Sequence, residues 1–278
     1  MIVVGVDGSD PSDRALKWAA SVAHLRDRPL RIIYAAKGSA ETGNAVVRQA
    51  AATVNAIYPS LPVETAVVPD NPAHALIAAS TNATMVVVGN RGHGGFHDLL
   101  LGSTSLHTAM HAKCPVTVVR PPRHEEPHPD AVDRIVVGVD GSPHSEPALE
   151  FAFEEAELTG RGITAVHAWQ GDITAGAMGM PYVYDPIERQ AQAVRLLEET
   201  LARWMDRHPE VDVRSKVEQM PAAAALVDHS RGAHEVVAGS RGLGGFTGAV
   251  LGSVSQALIH HASCPVVIAH QRETASSG

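Results

Sequence analysis

Two glycine-rich stretches of identical spacing carry the clearest chemical signal in this chain of 278 residues. Each follows the pattern Gly-x2-Gly-x9-Gly-Ser, from Gly89 to Ser103 in the first copy and from Gly239 to Ser253 in the second. A short apolar run precedes each stretch, and a segment of helical character follows it. Glycine permits the positive φ angles of tight turns and lets an anion approach the backbone N–H groups closely. A strand, a glycine loop and a helix start, in that order, predict a phosphate-binding site.

Each loop also carries one fixed positive charge, Arg91 or Arg241, and ends in a serine at a helix start, where unpaired N–H groups add donors. The alternative is a solvent-exposed turn that binds nothing. Neither loop contains Gly-x4-Gly-Lys-[Ser/Thr], which excludes a P-loop ATPase. His97 and Thr247 stand where the dinucleotide-binding pattern Gly-x-Gly-x2-Gly requires its last glycine, which excludes that pattern too.

The chain is an internal repeat of one domain. Ile2–Ser9 recurs unchanged as Ile135–Ser142, and the glycine loop that begins at Gly89 recurs at Gly239. The loops are farther apart than the opening segments, so the second copy has gained residues, which we place in a long loop from Gln170 to Pro186. A stretch rich in proline and charge separates the copies and is typical of a linker. We predict a first domain at 1–121, a linker at 122–133 and a second domain at 134–272.

Each copy alternates apolar, β-branched runs with segments of helical pattern. This alternation predicts an α/β fold with right-handed crossovers and a parallel sheet covered by helices on both faces. The predicted strands of the first copy are Ile2–Val6, Leu30–Ala36, Pro62–Val68, Thr84–Val88 and Val116–Val119. Those of the second copy are Ile135–Val139, Ile163–Ala168, Val211–Val217, Val236–Ala238 and Val266–Ala269.

The overall composition excludes several classes of function. A net charge of −8 and an aromatic content of 4% argue against nucleic acid as a partner. No apolar run approaches the roughly 20 residues of a membrane span, and Met1 is followed at once by a predicted core strand rather than a signal peptide. Cys114 and Cys264 occupy equivalent Cys-Pro-Val positions, so we expect two buried, unpaired thiols and a reducing, cytoplasmic setting.

Three features together resemble the universal stress protein family: the glycine spacing, the opening Val-Gly-Val-Asp-Gly-Ser and the closing Cys-Pro-Val strand. The resemblance covers nearly the whole chain, as a tandem protein. It implies two Rossmann-like domains of the adenine nucleotide alpha hydrolase-like type, each with a five-stranded sheet of order 3-2-1-4-5. It further implies antiparallel pairing of Val116–Val119 with Val266–Ala269, and it is compatible with a homodimer of the whole chain.

The resemblance also implies that each domain binds ATP, with Mg²⁺, at the carboxyl ends of its first and fourth strands, in agreement with the rule for open α/β sheets. Gly5 and Asp7 would border the adenosine, and Ala35 would present its backbone to adenine. The matching residues of the second copy are Gly138, Asp140 and Ala168. The residues that would surround ribose and phosphates are Gly89, Gly92, Gly95, Gly102 and Ser103 in the first copy, and Gly239, Gly242, Gly245, Gly252 and Ser253 in the second.

Some of these positions have a second interpretation. Asp7 and Asp140 are also suited to capping their own turns. Family members that bind ATP often have a glycine two residues before the proline that precedes the third helix. Asp70 and Gln219 occupy that position here, which puts base selectivity in question.

The sequence shows no committed set of catalytic residues. ATP hydrolysis would need a group that positions water and carboxylates for Mg²⁺. Asp98 lies near the first loop, but Gly248 is its counterpart, and no cluster of His and Cys indicates a resident metal. We therefore expect an ATP-dependent regulator rather than an enzyme, acting through an unidentified protein partner; the resemblance implies stress response and growth control. A slow ATPase or phosphotransferase and a nucleotide-free interaction module remain the alternatives.

Overall fold

The computed structural model describes residues 1–36, 40–92, 101–121, 123, 125–170, 185–242 and 251–270. The first half contains β1 (Ile2–Gly5), α1 (Asp10–Leu25), β2 (Leu30–Ala35), α2 (Ala40–Ile57), β3 (Val63–Val68), α3 (Pro72–Ser80), β4 (Met85–Gly89), α4 (Ser103–His111) and β5 (Val116–Val119). The second half contains β6 (Ile135–Gly138), α5 (Glu146–Thr159), β7 (Ile163–Ala168), α6 (Pro186–Arg207), β8 (Val213–Glu218), α7 (Ala222–His229), β9 (Glu235–Gly239), α8 (Ser253–His261) and β10 (Val266–Ala269). Each predicted strand is confirmed to within two residues at either end.

One sheet of ten strands runs through both halves, in the order β3-β2-β1-β4-β5-β10-β9-β6-β7-β8. Each half has the order 3-2-1-4-5 within it. The two halves meet where β5 and β10 pair antiparallel, with Thr117 opposite Val267, and every other neighbouring pair is parallel. The fold class and the antiparallel junction are therefore confirmed.

Apolar layers cover both faces of the sheet. Alternate strand residues point to opposite faces, so Ile2 and Val4 belong to the layer under α1, α2, α5 and α6, while Val3 belongs to the layer under α3, α4, α7 and α8. This burial on both faces explains why the strands are continuous β-branched runs rather than alternating ones. None of the helices in these described ranges has the length and apolar character needed to cross a membrane.

The additional residues of the second half lie between the end of β7 and the end of α6, partly in α6 itself, which has 22 residues where α2 has 18. The ends of β2 and β7 have the same separation along the chain as the starts of β1 and β6, whereas the ends of α2 and α6 are farther apart. Most of the predicted loop from Gln170 to Pro186 lies outside the described residues. Its last residue is a correction, because Pro186 is the first residue of α6. Asp185 caps this helix by accepting hydrogen bonds from Ile187 N (2.9 Å) and Glu188 N (3.2 Å).

A buried arginine crosses the junction between the halves. Arg120 directly follows β5, and its Nε donates to Ala262 O (2.7 Å) while another guanidinium nitrogen donates to Ile259 O, both at the C-terminal end of α8. Burial lowers the pKa of Arg120 to about 10, so it remains charged at neutral pH and complements the helix dipole. His270 is the equivalent residue of the second half. Its ring bonds the backbone at Ala109 on α4, and burial lowers its pKa to about 4.

Replacing Arg120 tests how much this junction stabilises the chain. Arg120→Met removes two charge-assisted hydrogen bonds and leaves helix-end carbonyls buried without partners, so we expect a loss of about 3 kcal/mol in the free energy of unfolding. The midpoint of denaturant unfolding measures this loss of stability. The control is Arg123→Met, because Arg123 is half-exposed and only 3.7 Å from Glu125, a pair of little energetic value. Equal midpoints for the two variants would contradict this role of Arg120.

Candidate functional site

Two clefts lie at equivalent positions, where the carboxyl ends of β1 and β4, and of β6 and β9, meet the starts of the following segments. Their volumes are about 330 Å³ in the first half and about 530 Å³ in the second. The structure brings together all of the predicted site residues that it describes. These are Gly5, Asp7, Ala35, Gly89, Arg91, Gly92, Gly102 and Ser103 in the first cleft, and Gly138, Asp140, Ala168, Gly239, Arg241, Gly242, Gly252 and Ser253 in the second. Gly95 and Gly245 lie outside the described residues.

The glycines at the strand ends serve close packing. A Cβ on Gly5 would lie 2.9 Å from Leu76 Cδ1, and one on Gly89 would lie 2.6 Å from the carbonyl oxygen of Pro11. Because neither glycine has a side chain, α3 packs directly against β1, and the start of α1 packs directly against β4. Gly138 has the same relation to Leu226. Such glycines shape the floor of the cleft without requiring a ligand.

The aspartates after β1 and β6 each join two loops. Asp7 Oδ1 accepts hydrogen bonds from Ser9 N (2.9 Å) and Ser9 Oγ (2.6 Å), and Asp140 Oδ1 accepts the same two from Ser142 at 2.9 and 2.7 Å. The turn-capping interpretation therefore holds for this oxygen. The Oδ2 oxygens face Gly92 and Gly242 so closely that a Cβ there would collide with them. The carboxylate thus holds the first turn and occupies the space beside the glycine loop.

The N-terminus of α4 opens into the first cleft. Its N-cap is Gly102, with φ −79° and ψ 146°, and a glycine cannot cap the helix with a side chain. The first-turn residues Ser103, Thr104 and Ser105 line the cleft, and their N–H groups precede the first intrahelical hydrogen bond, from Leu106 N to Gly102 O. Gly252 is the N-cap of α8 in the same way, with φ −69° and ψ 156°. Each cleft therefore receives the positive end of a helix dipole.

Neither backbone angles nor packing explains why this N-cap is glycine. Any residue adopts the φ of Gly102, and a Cβ there would come no closer than 3.4 Å to any atom of the described residues, the nearest being Arg91 Cα. Gly252 is equally unhindered, with Arg241 Cα at 3.4 Å. Serine, threonine and aspartate are the usual N-caps. A bare N-cap leaves the N–H groups accessible to an anion instead.

Sequence reasoning missed the residues that fix this helix start. Gly102 N donates to Asn90 O (2.8 Å), Asn90 N donates to Val119 O (3.1 Å), and Ser105 Oγ donates to Gly89 O (2.6 Å). The second half repeats these bonds, with Ser255 Oγ donating to Gly239 O at 2.6 Å. The available signal was the extended pattern Gly-Ser-x-Ser, which both copies contain. The helix start is therefore fixed to the end of the preceding strand.

The universal stress protein family model matches residues 1–120 and 131–270. The chain belongs to the universal stress protein family. A family member from Mycolicibacterium smegmatis is 36% identical over 298 residues, covering 98% of this chain and 97% of that protein. Another, from Mycobacterium tuberculosis strain H37Rv, is 35% identical over 290 residues, covering 97% of each chain.

Solved structures agree on the fold. A universal stress protein from Archaeoglobus fulgidus superposes with a TM-score of 0.64 at 20% identity, covering 98% of both chains. A protein described as functionally unknown, from Pseudomonas aeruginosa, superposes with a TM-score of 0.71 at 15% identity, covering 98% of this chain and 92% of its own. At these identities the likeness concerns the fold alone.

The two departures from the universal stress protein pattern lie beside the third helix of each domain. The exposed Asp70 accepts a hydrogen bond from Asn71 N (2.6 Å), and Asn71 in turn caps α3 by accepting one from Ala73 N (2.9 Å). In the second domain Pro221 is the N-cap of α7. Neither Asp70 nor Gln219 is among the described residues that line the clefts.

Cys114 and Cys264, which lie just before the closing strands, are buried and form no disulfide, as predicted. Burial raises the pKa of the Cys264 thiol well above its ordinary value, and the nearby Glu235 raises it further. A thiol held protonated in this way is a poor nucleophile. Within the described residues, no group of three or more His, Cys, Asp and Glu side chains is placed to hold a metal ion.

Proposed function

We propose that each domain binds one molecule of ATP, with Mg²⁺, and that the protein is a cytoplasmic, nucleotide-dependent regulator of stress response and growth rather than an enzyme. The observation that carries this proposal is a bare helix N-terminus and an apolar wall that line the same cleft, an arrangement present twice in the chain. Volumes of about 330 and 530 Å³ lie within the range of about 300–1,000 Å³ that is usual for small-molecule sites.

The two ends of each cleft suit the two ends of ATP. In the first domain the apolar wall consists of Ile33, Leu76 and Val88 beside the backbone of Ala35, a surface suited to a flat base. The same cleft is lined by the first turn of α4, whose N–H groups suit phosphates, and by Arg91, whose guanidinium does too. The half-exposed carboxylate of Asp7 also lines it and would accept a hydrogen bond from a ribose hydroxyl. When bound, Mg²⁺ would neutralise part of the phosphate charge.

The acidic groups of the clefts support binding rather than catalysis. Among the described lining residues, Asp7 is the one carboxylate of the first cleft and Asp140 that of the second, and each holds its turn through a serine. Hydrolysis would require a further group to position and activate the attacking water. A bound nucleotide would instead favour one conformation of the loops, which a protein partner would recognise. We include a homodimer of the whole chain in the proposal on the basis of family membership.

The nucleotide content of the purified protein tests this proposal. Protein precipitated with acid should release ATP or ADP, detected by absorbance at 260 nm and by chromatography. Adding Mg-ATP at about 100 times its Kd to nucleotide-free protein should stabilise it by about 2.7 kcal/mol for each site, which corresponds to a rise of about 5–10 °C in Tm. No adenine nucleotide together with an unchanged Tm would contradict the proposal. Phosphate release well above a slow basal rate would favour the ATPase alternative.

A further inference from the structure

The two clefts share a frame but differ in size, about 330 Å³ against about 530 Å³. Matched backbone positions line both of them: the ends of β1 and β6, Ala35 and Ala168, and the glycine loops. Leu76 and Leu226 pack over the glycine at the end of the first strand in the same way. A common frame with different volumes points to the side chains as the source of the difference.

Three matched lining positions have a smaller residue in the second cleft, and the remaining matched positions are identical or of equal size. The three differences are Ile33 against Val166, Pro72 against Ala222, and Val88 against Ala238. Ile33, Val88, Val166 and Ala238 are all buried, with 2–4% of their surface exposed. Close-packed surroundings of this kind do not refill the missing carbon atoms. The smaller side chains therefore leave space that opens into the cleft.

The proline difference arises from a shift of one residue along the chain. Pro72 is the first residue of α3, where its ring lines the first cleft. In the second domain Pro221 lies one position earlier, as the N-cap of α7, and is exposed to solvent. Ala222 takes the matched position and presents only a methyl group. The start of α7 therefore leaves more space in its cleft than the start of α3 does.

None of the three smaller residues belongs to the helix N-terminus at the start of α8. Val166 is on β7, two residues before Ala168, and Ala222 begins α7. Ala238 matches Val88, so all three belong to the apolar wall. At the start of α8, Gly252, Ser253 and Ser255 repeat the residues of the first domain, while Leu251 and Gln256 line the second cleft only. Both clefts are thus equally suited to phosphates, and they differ where a base would lie.

We propose that the second cleft accepts adenine nucleotides that carry a bulky group on the base, whereas the first cleft accepts only unsubstituted ones. This inference rests on the proposed function, because it takes ATP as the ligand that both clefts share. Forcing extra carbon atoms into a packed apolar wall is unfavourable. We therefore expect N6-benzyl-ATP to bind at least about 10-fold more weakly than ATP in the first cleft, and within about threefold of ATP in the second.

Each cleft is measured separately in full-length protein with the other cleft blocked. Gly252→Glu leaves the first cleft open, and Gly102→Glu leaves the second. Both proteins are titrated calorimetrically with Mg-ATP and with Mg-N6-benzyl-ATP. Similar affinity of the analogue relative to ATP in the two proteins would overturn the inference. Failure of both proteins to bind ATP would overturn the proposed function as well, so the two failures are distinguishable.

Exchanging the lining residues provides the matched control. Val166→Ile with Ala238→Val, in the protein that has only the second cleft open, should weaken the analogue about 10-fold while ATP still binds. Ile33→Val with Val88→Ala, in the protein that has only the first cleft open, should admit the analogue. An exchange that leaves the discrimination of both clefts unchanged would show that these residues do not determine it.

Discussion

A chain that carries both Gly102→Glu and Gly252→Glu should purify without adenine nucleotide and bind Mg-ATP at least about 100-fold more weakly than the unaltered chain. Each substitution places a carboxylate where the phosphates would meet the helix N-terminus. Charge-assisted hydrogen bonds of about 1.5–3 kcal/mol each are lost there, and like charges repel. The fold should persist, because a Cβ at either position meets no atom of the described residues closer than 3.4 Å. Bound nucleotide and calorimetric titration measure the effect.

Two further double variants separate charge from size. Gly102→Gln with Gly252→Gln has nearly the same volume without the charge, and should bind ATP more tightly than the glutamate chain. Gly102→Ala with Gly252→Ala adds only methyl groups and should retain most of the affinity. All of these proteins should unfold at similar denaturant concentrations in the absence of nucleotide. Full nucleotide content in the glutamate chain would show that the ligand binds elsewhere.

Glu235→Met should stabilise the protein by about 1–3 kcal/mol at neutral pH, the usual range for removing a buried polar group that lacks partners. Glu235 begins β9 with none of its surface exposed, and neither carboxylate oxygen has a hydrogen-bond partner among the described residues. Glu155 is nearby but already pairs with Arg26. The first domain has Met85 at the matched position, buried in the same place in its sheet. The substitution therefore introduces the residue that the first domain already has at the matched position.

The advantage of Glu235→Met should depend on pH. Burial, and then the charge of Glu155, raise the pKa of Glu235 well above its ordinary value of 4.5. Between pH 4.5 and the raised pKa, the folded chain keeps a proton that the unfolded chain releases, so stability falls as pH increases. The advantage should therefore grow from pH 5 to pH 8 in denaturant unfolding. Glu154→Met, at an exposed position of α5, is the control. An advantage that does not change with pH would contradict the buried, protonated state.

The strands and the repeat could be predicted from the sequence because their signals are local. A continuous β-branched run such as Ile2–Val6 identifies a doubly buried strand, and identical segments reveal a duplication without any structure. The glycine loops identified five lining residues of each cleft for the same reason, among them Gly102 and Gly252. The strand order and the β5–β10 junction are different, since they followed from resemblance to a family and not from the residues.

The remaining features depend on contacts between distant parts of the chain. Arg120 bonds α8 in the other domain, 142 residues away, and nothing in its local sequence distinguishes it from a surface arginine. Glu235 stands before an apolar run, a position where a solvent-exposed glutamate is the ordinary expectation. One of the three differences between the clefts depends on Pro221 lying one residue earlier than its counterpart Pro72. Only the folded structure shows that the proline ring is therefore missing from the apolar wall of the second cleft.

Calorimetric titration of nucleotide-free protein with Mg-ATP tests the proposed binding sites most directly. Two clefts with equivalent helix N-termini predict saturation at two ATP per chain, falling to one in either single variant, Gly102→Glu or Gly252→Glu, and to none in the double variant. No saturable binding to the unaltered chain, or two ATP still bound by the double variant, would contradict the assignment of these clefts as ATP sites.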